Sequence, residues 1–379
     1  MHDCRFPIFA PVPIRRHLID EFLLLSKDAL LFDVRSQGEY GHAFLPGAVS
    51  LPLFSDEERK VIGTAYKRAS REQAIKIGLD VFGPKMRAMV ETVEQAAAAR
   101  GLDIKCPVFL YCWRGGMRSG AVAWLLDLYG FEVHVLAGGY KAFRNKVLQA
   151  FTRDLPYRIV GGYTGSGKTE MLQCLREAGE TVIDLEGLAS HKGSAFGNIN
   201  MPPQPTQEMF ENLLAMELLS ATGNGQETPP PATPQEGRGA SSLPSRARAR
   251  EGVWLEDESQ RIGQLHIPHT LWALMQQAPV YFVDIPFEER LRHIVEEYGA
   301  LDPERLRDAI TRISKRLGPQ HAKAAIELLD AGQLPECFAI LLRYYDKSYL
   351  KGVQGRPSGT PHTVACAAVD PRNALKLLS

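Results

Sequence analysis

Apolar and polar positions alternate in two ways along the first 150 residues. Short apolar runs of strand length are separated by longer stretches in which apolar residues recur every three or four positions, as on one face of a helix. Strands and helices that take turns along a chain predict a parallel sheet with helices on both faces. The predicted elements are strands at residues 29–35, 107–111 and 134–140 and helices at 120–129 and 141–153.

The same alternation begins again after a short linker and predicts a second α/β domain. Its last part, residues 303–347, has the periodicity of amphipathic helices. We therefore expect one domain at 10–150 and a second at 156–379 with a helical C-terminal part. The predicted elements of the second domain are strands at 157–161, 181–184, 253–259 and 279–284 and a helix at 170–178.

Residues 221–250 interrupt the second domain with a different composition. They are rich in Pro, Thr, Ser, Gly and Glu and end in an alternation of Arg and Ala from Arg246 to Arg250. Because such a segment cannot bury a core, we expect a disordered surface insertion. Its arginines either contact RNA or belong to a solvated linker.

Composition and charge narrow the classes of protein. The chain has 379 residues and a formal net charge of zero, so any nucleic acid would have to bind to a local basic patch. The helical stretch 56–85 is either such a patch or a solvated helix face. Six cysteines without a CxxC pair favour reduced thiols over a disulfide framework or a zinc site. No apolar run approaches about 20 residues and no signal peptide opens the chain, so we expect a cytoplasmic protein without a membrane segment.

A cysteine follows the second predicted strand and precedes a glycine-containing loop that ends at Arg118 and Ser119. The N–H groups of such a loop converge, and the start of the next helix adds partial positive charge. Both favour the thiolate of Cys112 and lower its pKa below the ordinary value of about 8.5. The guanidinium of Arg118 can hold an oxyanion beside the sulfur, so these residues predict a nucleophilic cysteine. The rest of the predicted anion loop is Arg114, Gly115, Gly116, Met117 and Ser119.

The length of this loop is compatible with two chemistries. Five residues separate Cys112 from Arg118, a spacing that suits a cysteine phosphatase. A cysteine that carries sulfur as a persulfide more often has a loop one residue shorter. The loop alone leaves both chemistries open.

Two further segments accompany the cysteine loop. Asp33 and Arg35 end the first predicted strand, where they either pin the loop as a local ion pair or line the ligand crevice at the strand ends. Together with Glu39-Tyr40 and Leu45-Pro46-Gly47-Ala48, the cysteine loop resembles the rhodanese family of sulfurtransferases. The resemblance implies a rhodanese-like parallel sheet domain, and the extra loop residue indicates a pocket for a larger anion than a persulfide carrier needs.

The predicted strand at 157–161 runs into the sequence Gly-Tyr-Thr-Gly-Ser-Gly-Lys-Thr, and a helix follows. This is the pattern and context of a P-loop, in which glycines let backbone N–H groups close around phosphate oxygens. The lysine reaches the terminal phosphates, and the threonine hydroxyl usually holds Mg²⁺. The sequence therefore predicts a phosphate site in a P-loop NTPase-like α/β domain. Its predicted residues are Gly162, Gly165, Ser166, Gly167, Lys168 and Thr169.

Acidic residues follow the other predicted strands of this domain, and a loop rich in glycine and cations follows residue 190. One or two of these acids can position a metal or a water, and the others are solvated strand ends; no metal ligand is assigned. Residues 279–292 resemble small P-loop kinases, in which helix arginines lie near the transferred phosphate. The candidates for a supporting role are Asp184, Glu186, Ser194, Glu256, Asp257 and Asp284.

The order of the two domains adds to what each motif indicates alone. The Cys112 loop, the P-loop, Asp184–Ala189 and Tyr344-Tyr345-Asp346 in this order resemble the tRNA 2-selenouridine synthases, a bacterial family of tRNA-modifying enzymes. The resemblance implies conversion of a wobble 2-thiouridine to 2-selenouridine through an S-geranyl intermediate. It implies selenophosphate and geranyl diphosphate as co-substrates, Mg²⁺ as an aid at the diphosphate, and tRNA and a selenophosphate-supplying enzyme as partners.

By that resemblance the P-loop binds the diphosphate of the prenyl donor, and the Cys112 loop receives selenophosphate. Cys112 either carries selenium as a perselenide or assists the loss of geranyl thiol. Two other functions stay open on the residues alone. One is a Cys-dependent phosphatase or sulfurtransferase fused to a small-molecule kinase, and the other is a non-catalytic nucleotide-sensing or tRNA-binding module.

Overall fold

A computed structural model of the chain describes residues 14–103, 105–221 and 252–378. The chain divides into two compact units, Met1–Ala150 and Phe151–Ser379. The predicted disordered insertion at 221–250 lies, apart from Ala221, outside the described residues. Within the described ranges, no helix has both the length and the apolar character needed to cross a membrane.

The first unit alternates strands and helices as predicted. Its described elements are β1 (Arg15–His17), α1 (Ile19–Leu25), β2 (Leu30–Asp33), α2 (Gln37–His42), β3 (Val49–Ser50), α3 (Asp56–Arg68), α4 (Arg71–Ala99), β4 (Pro107–Tyr111), α5 (Met117–Tyr129), β5 (Glu132–Leu136) and α6 (Gly139–Ala150). The strands pair in parallel in the order β1-β5-β4-β2-β3. Phe32 and Leu110 of the central strands pack with Val93 of α4 and Leu126 of α5 in one apolar core. The predicted parallel α/β sheet is confirmed.

The polar stretch predicted as helical at 56–85 is two helices rather than one. Ser55 accepts a hydrogen bond from the Glu58 N–H at the start of α3, and Ser70 accepts one from the Gln73 N–H at the start of α4. Serine side chains at these positions satisfy backbone donors that a helix start leaves free. The chain therefore stops one helix and begins the next at Ser70.

The second unit is also built on a five-stranded parallel sheet, in the spatial order β12-β11-β6-β8-β7, with a separate antiparallel pair, β9 and β10. Its described elements are β6 (Tyr157–Gly162), α7 (Lys168–Glu177), β7 (Thr181–Ile183), α8 (Leu185–Ala189), α9 (Gln207–Ala221), β8 (Val253–Glu256), β9 (Arg261–Ile262), β10 (Leu265–His266), α10 (His269–Gln277), β11 (Val280–Asp284), α11 (Phe287–Tyr298), α12 (Pro303–Leu317), α13 (Pro319–Asp330), α14 (Leu334–Gln354), β12 (His362–Ala365) and a 3-10 helix at Pro371–Leu377.

Two apolar clusters stabilise this unit. One joins the sheet to α7 through residues such as Val160 and Leu172. The other joins the C-terminal helices through residues such as Ile310, Ala325 and Leu341, as the amphipathic pattern predicts. After these helices the chain returns to the sheet as β12, an edge strand that the sequence analysis does not predict.

Candidate functional site

Cys112 lies directly after β4, where the chain leaves the carboxyl edge of the sheet. Helix α5 begins at Met117 rather than at residue 120 as predicted, with Gly116 as its N-cap. Arg118 and Ser119 therefore belong to the first turn of this helix and not to a loop. The Cys112 residue is 3% exposed, so its sulfur is enclosed by the loop and the helix start.

The surroundings of the sulfur stabilise its anion. The Sγ atom lies 3.2 Å from the Ser119 hydroxyl oxygen. Burial opposes ionisation, but the Ser119 hydroxyl, the N–H groups of Ser119 and Arg114 and the charge of Arg118 outweigh it and lower the pKa of Cys112. The loop and the helix start therefore favour the thiolate of Cys112 more than water does.

Arg118 is not a free anion ligand. Its Nη1 donates to Glu39 Oε2 at 2.8 Å, and the same carboxylate accepts a hydrogen bond from the Ser36 N–H at 3.1 Å. Burial raises the pKa of Glu39, but the contacts with Arg118 and Ser36 outweigh burial and lower it below its ordinary value. An oxyanion that enters the loop would share Arg118 with Glu39 or displace it.

Asp33 and Arg35 form a buried ion pair, with Arg35 Nη2 2.6 Å from Asp33 Oδ2. Arg35 also donates to the Ala43 carbonyl at 2.6 Å, and its guanidinium lies 3.8 Å from the centroid of the Tyr140 ring. The Tyr140 N–H in turn donates to the carbonyl of Cys112 at 2.8 Å. Of the two roles considered for Asp33 and Arg35, the geometry shows the ion pair that supports the loop.

The rest of the predicted anion loop is split between its interior and solvent. Gly115 has a φ of +65°, and a Cβ there would lie 2.9 Å from the Gly138 nitrogen, so a side chain does not fit. Arg114, Gly116 and Met117 are exposed. Arg114 thus offers both a charge and a backbone N–H to an incoming anion.

The P-loop connects β6 to α7 as the motif predicts. Gly165 and Gly167 have φ values of +79° and +71°, a conformation that glycine adopts readily. Lys168 Nζ donates to the Gly162 carbonyl at 3.1 Å. The Ser166 hydroxyl is buried without a hydrogen-bond partner among the described residues. A lysine folded over the loop and an unpartnered hydroxyl within it fit a bound phosphate group.

Arg290 supports the P-loop from α11. The side chain is 3% exposed and donates to both carboxylate oxygens of Asp346, at 2.9 and 2.8 Å, and to the Thr164 carbonyl at 3.1 Å. The resemblance to small kinases predicts arginines of this helix near the transferred phosphate. In the structure, Arg290 contacts the P-loop backbone while Asp346 holds its guanidinium, and Arg292 pairs with Glu289.

Asp257 is likewise occupied by structural contacts. It accepts a hydrogen bond from the Tyr349 hydroxyl at 2.5 Å and pairs with buried Arg356. The Tyr349 oxygen also accepts a hydrogen bond from the Gly162 N–H at 3.0 Å. This chain of contacts fixes the start of the P-loop and leaves Asp257 poorly placed to bind a metal.

Two carboxylates lie beside the P-loop lysine and threonine. The Thr169 hydroxyl donates to Glu186 Oε2 at 3.3 Å, and Glu186 is hydrogen-bonded to Glu258. Burial and the mutual repulsion of the two carboxylates raise the pKa of Glu258 strongly, whereas Lys168 moderates the effect. Both carboxyl groups therefore favour the protonated form more than a glutamate in water does. The candidate set omits Glu258, although Glu258 belongs to the same acidic run as Glu256 and Asp257.

Asp184 and Glu256 hold the next turn of the chain. The Asp184 carboxylate caps α8 by accepting the Gly187 N–H at 2.7 Å, and Glu256 accepts the Leu185 N–H at 2.9 Å. Complete burial, with Asp184 nearby, raises the pKa of Glu256 well above its usual range. Asp284 ends β11 as an exposed residue.

Ser194 lies in the loop after α8 and lines a cavity of about 570 Å³. Arg312 and Arg316 of α12 and Tyr344 of α14 line the same cavity. Gly193 brings this loop against the acid pair, since a Cβ there would lie 2.7 Å from carboxylate oxygens of both Glu186 and Glu258. The cavity thus borders the side of the P-loop on which Lys168 and Thr169 lie.

A metal would find few ligands at this site. In the described part of the chain, no group of three or more His, Cys, Asp or Glu side chains is arranged to hold a metal ion. Mg²⁺ at a phosphate site usually takes one or two protein oxygens, with phosphate and water completing its shell. The Thr169 hydroxyl and Glu186 fit that requirement.

Comparisons with known proteins agree on both units. The rhodanese-like domain model matches residues 19–146, and the model of the tRNA 2-selenouridine synthase AAA domain matches residues 155–231 and 239–302. Three curated relatives are named tRNA 2-selenouridine synthase. The protein of Sulfurovum sp. (strain NBC37-1) is 34% identical over 325 residues, which are 79% of this chain and 79% of the relative.

The other two relatives come from enterobacteria. The protein of Cronobacter sakazakii (strain ATCC BAA-894) is 36% identical over 282 residues, 74% of this chain and 67% of the relative. The protein of Salmonella arizonae (strain ATCC BAA-731 / CDC346-86 / RSK2980) is 36% identical over 285 residues, 74% of this chain and 70% of the relative. The similarity therefore spans both units rather than a single common domain.

Proposed function

Because the chain belongs to the tRNA 2-selenouridine synthase family, we propose that it converts a wobble 2-thiouridine of tRNA to 2-selenouridine in two steps. The first step transfers a geranyl group from geranyl diphosphate to the sulfur. The second replaces the S-geranyl group with selenium from selenophosphate. One observation carries the proposal: a single chain of this family has both a buried cysteine with a lowered pKa, Cys112, and a P-loop over which Lys168 folds.

The prenyl transfer takes place at the P-loop. The sulfur attacks C1 of geranyl diphosphate, the C–O bond breaks, diphosphate leaves with the electron pair, and the base loses its N3 proton. Lys168 and the loop N–H groups stabilise the leaving diphosphate, and Ser166 donates its free hydroxyl. Mg²⁺, when bound at Thr169 and Glu186, supplies further charge for the diphosphate. The cavity beside Ser194 receives the base, since its tyrosine and arginines suit an RNA nucleotide.

The selenium transfer takes place at the Cys112 loop. The thiolate attacks phosphorus of selenophosphate, the P–Se bond breaks, and hydrogen selenide attacks C2 of the base. Geranyl thiolate leaves, and water hydrolyses the phosphocysteine to phosphate and free thiol. Attack on phosphorus leaves every oxidation state unchanged, whereas a perselenide formed by attack on selenium would release reduced phosphorus. The loop N–H groups and Arg118 hold the phosphoryl oxygens during this exchange.

The reaction is tested by reconstitution with purified protein, thiolated tRNA and geranyl diphosphate, followed by selenophosphate. Mass spectrometry of the nucleosides after each addition reports the products. We expect Lys168→Ala to leave 2-thiouridine unchanged and Cys112→Ser to stop at S-geranyl-2-thiouridine. An exposed lysine of α13 provides the control, because Lys323→Ala should behave as wild type. Formation of 2-selenouridine by Cys112→Ser at the wild-type rate would refute the assignment.

The loop spacing favours a second candidate, a cysteine phosphatase fused to a small-molecule kinase. Release of phosphate from an aryl phosphate by the wild type, abolished in Cys112→Ser, together with no change in tRNA nucleosides, would establish it. For the synthase, we further propose that the enzyme acts in the cytoplasm, where its tRNA substrate is found. A selenophosphate-supplying enzyme must work beside it there.

A further inference from the structure

A large cavity opens beside the Cys112 loop in the first unit. Its volume of about 1110 Å³ is slightly above the range of about 300–1,000 Å³ that small-molecule sites span. Helices α3 and α4 line it, together with Arg114 of the loop and Met117 and Arg118 of α5. A molecule in the cavity would therefore lie against the loop that carries the reactive sulfur.

Much of the cavity lining is apolar. Phe54, Ile62, Ile75, Leu79 and Met117 all contribute to it. Leu79 is 57% exposed, Met117 55% and Ile75 37%, and α3 buries none of its residues. Large apolar side chains gathered in one concave place, rather than scattered over a surface, mark a site for an apolar ligand or partner.

The remaining lining residues make the cavity cationic. Two of the cations already have an acidic neighbour, since Arg118 and Arg59 lie 2.8 and 3.6 Å from Glu39. In the part of the chain that the structure describes, no carboxylate forms an ion pair with Lys60, Lys67 or Arg114. The cations of the lining are Arg59, Lys60, Lys67, Arg114 and Arg118, and its carboxylates are Asp56 and Glu57. The ligand that fits combines an apolar chain with anionic groups.

We propose that this cavity holds the prenyl chain of the S-geranylated wobble base while the Cys112 loop delivers selenium to its C2. The inference rests on the proposed function and adds to it a binding site for the prenyl chain in the first unit. The tRNA phosphates next to the base meet Lys60, Lys67 and Arg114. The prenyl chain thus lets the enzyme bind the prenylated base in preference to unmodified 2-thiouridine, because only the prenylated base fills the apolar cavity.

Two features favour a prenylated nucleotide over a protein segment as the occupant. The apolar lining adjoins Arg114 of the anion loop and Met117 and Arg118 of α5, so the head of a ligand in the cavity lies beside that loop. The cations without acidic partners complement the phosphates that accompany any tRNA base. A second copy of this chain has a formal net charge of zero and so offers no overall negative charge to these cations.

Binding is tested with anticodon stem-loop RNAs that carry S-geranyl-2-thiouridine or S-methyl-2-thiouridine at the wobble position. Fluorescence anisotropy without selenophosphate measures their dissociation constants in the absence of selenium transfer. Each buried methylene changes affinity about fourfold, so burial of only three of the additional carbons predicts roughly 60-fold tighter binding of the geranyl RNA. The methyl RNA controls for all contacts except the chain.

Variants of the cavity lining test whether the prenyl chain binds there. Leu79→Gln and Ile75→Asn make the lining polar at positions already open to solvent, and we expect about fivefold or more weaker binding of the geranyl RNA alone. Leu128→Gln on α5 changes an equally exposed leucine, 67% exposed, that does not line the cavity, and should leave both affinities unchanged. Prenyl transfer to 2-thiouridine should proceed at the wild-type rate in all three variants.

The outcomes separate this inference from the proposed function. If wild-type protein selenates both RNAs and binds them equally, the cavity assignment fails while the synthase function stands. If wild-type protein selenates neither RNA, the proposed function fails. Light scattering tests whether the cavity is instead an interface between two copies of the protein. If Leu79→Gln converts a dimer to a monomer and leaves the affinity for the geranyl RNA unchanged, the inference is overturned.

Discussion

Replacement of Ser119 by alanine tests the physical basis of the reactive thiol. The Ser119 hydroxyl lies 3.2 Å from Cys112 Sγ and is the main side-chain contact that lowers the pKa of Cys112 against the effect of burial. A hydrogen bond to a charged group contributes about 1.5–3 kcal/mol, and 1.36 kcal/mol corresponds to one pKa unit. The N–H groups of Ser119 and Arg114 remain in the variant. We therefore expect the pKa of Cys112 to rise by at least about one unit, which corresponds to the lower end of that range.

The assay is the rate of alkylation of Cys112 by iodoacetamide as a function of pH, followed on its peptide by mass spectrometry. Only the thiolate reacts, so the midpoint of the profile reports the pKa. The sign follows from the lost donor: Ser119→Ala should move the midpoint to higher pH and reduce the reactivity below the midpoint by about tenfold. Ser26→Ala, a buried serine elsewhere in the same unit, provides the control. A midpoint that stays in place or moves to lower pH would refute the reasoning.

Three further predictions concern the second unit. Asp346→Asn leaves buried Arg290 without a carboxylate and should lower the free energy of unfolding by about 3–5 kcal/mol, measured by urea denaturation. Tyr349→Phe removes the hydroxyl between Asp257 and the Gly162 N–H, and should raise the dissociation constant for diphosphate, measured by calorimetry, because the start of the P-loop loosens. Glu256 has a raised pKa, so above about pH 4.3 the unfolded chain releases a proton that the folded chain keeps, and stability falls as pH rises. Glu256→Gln removes this loss, so urea denaturation should show the variant gaining stability relative to wild type between pH 5 and pH 7; an equal difference at both values would contradict the raised pKa.

Apolar runs predict the interior strands of both sheets, because a buried parallel strand reads as a continuous apolar segment. The short edge strands β1 and β3 of the first sheet give no such run and were missed. The run at 107–111 coincides with β4. The strand β12 escapes this signal, since His362-Thr363-Val364-Ala365 is short and half polar and becomes a strand only by pairing with β11. The division of the 56–85 stretch was open to prediction, because Ser70 followed three residues later by Gln73 is a pattern that marks a helix start.

Motifs predict the two anion loops because their chemistry is local in sequence. The roles of the charged residues around them depend on partners far away along the chain. Arg118 meets Glu39 across 79 positions, and Arg290 meets Asp346 across 56. The spacing of residues along the sequence does not distinguish a carboxylate that pairs with an arginine from one that contacts a ligand. Glu258 was missed for the same reason, since only the fold brings it to Glu186.

The most direct test of the two-step account is a single-turnover time course with wild-type protein, thiolated tRNA and both co-substrates, stopped at intervals for nucleoside analysis. The account predicts that S-geranyl-2-thiouridine rises first and then falls at the rate at which 2-selenouridine forms. A parallel reaction without geranyl diphosphate should yield no 2-selenouridine. Full conversion in that reaction would contradict the account.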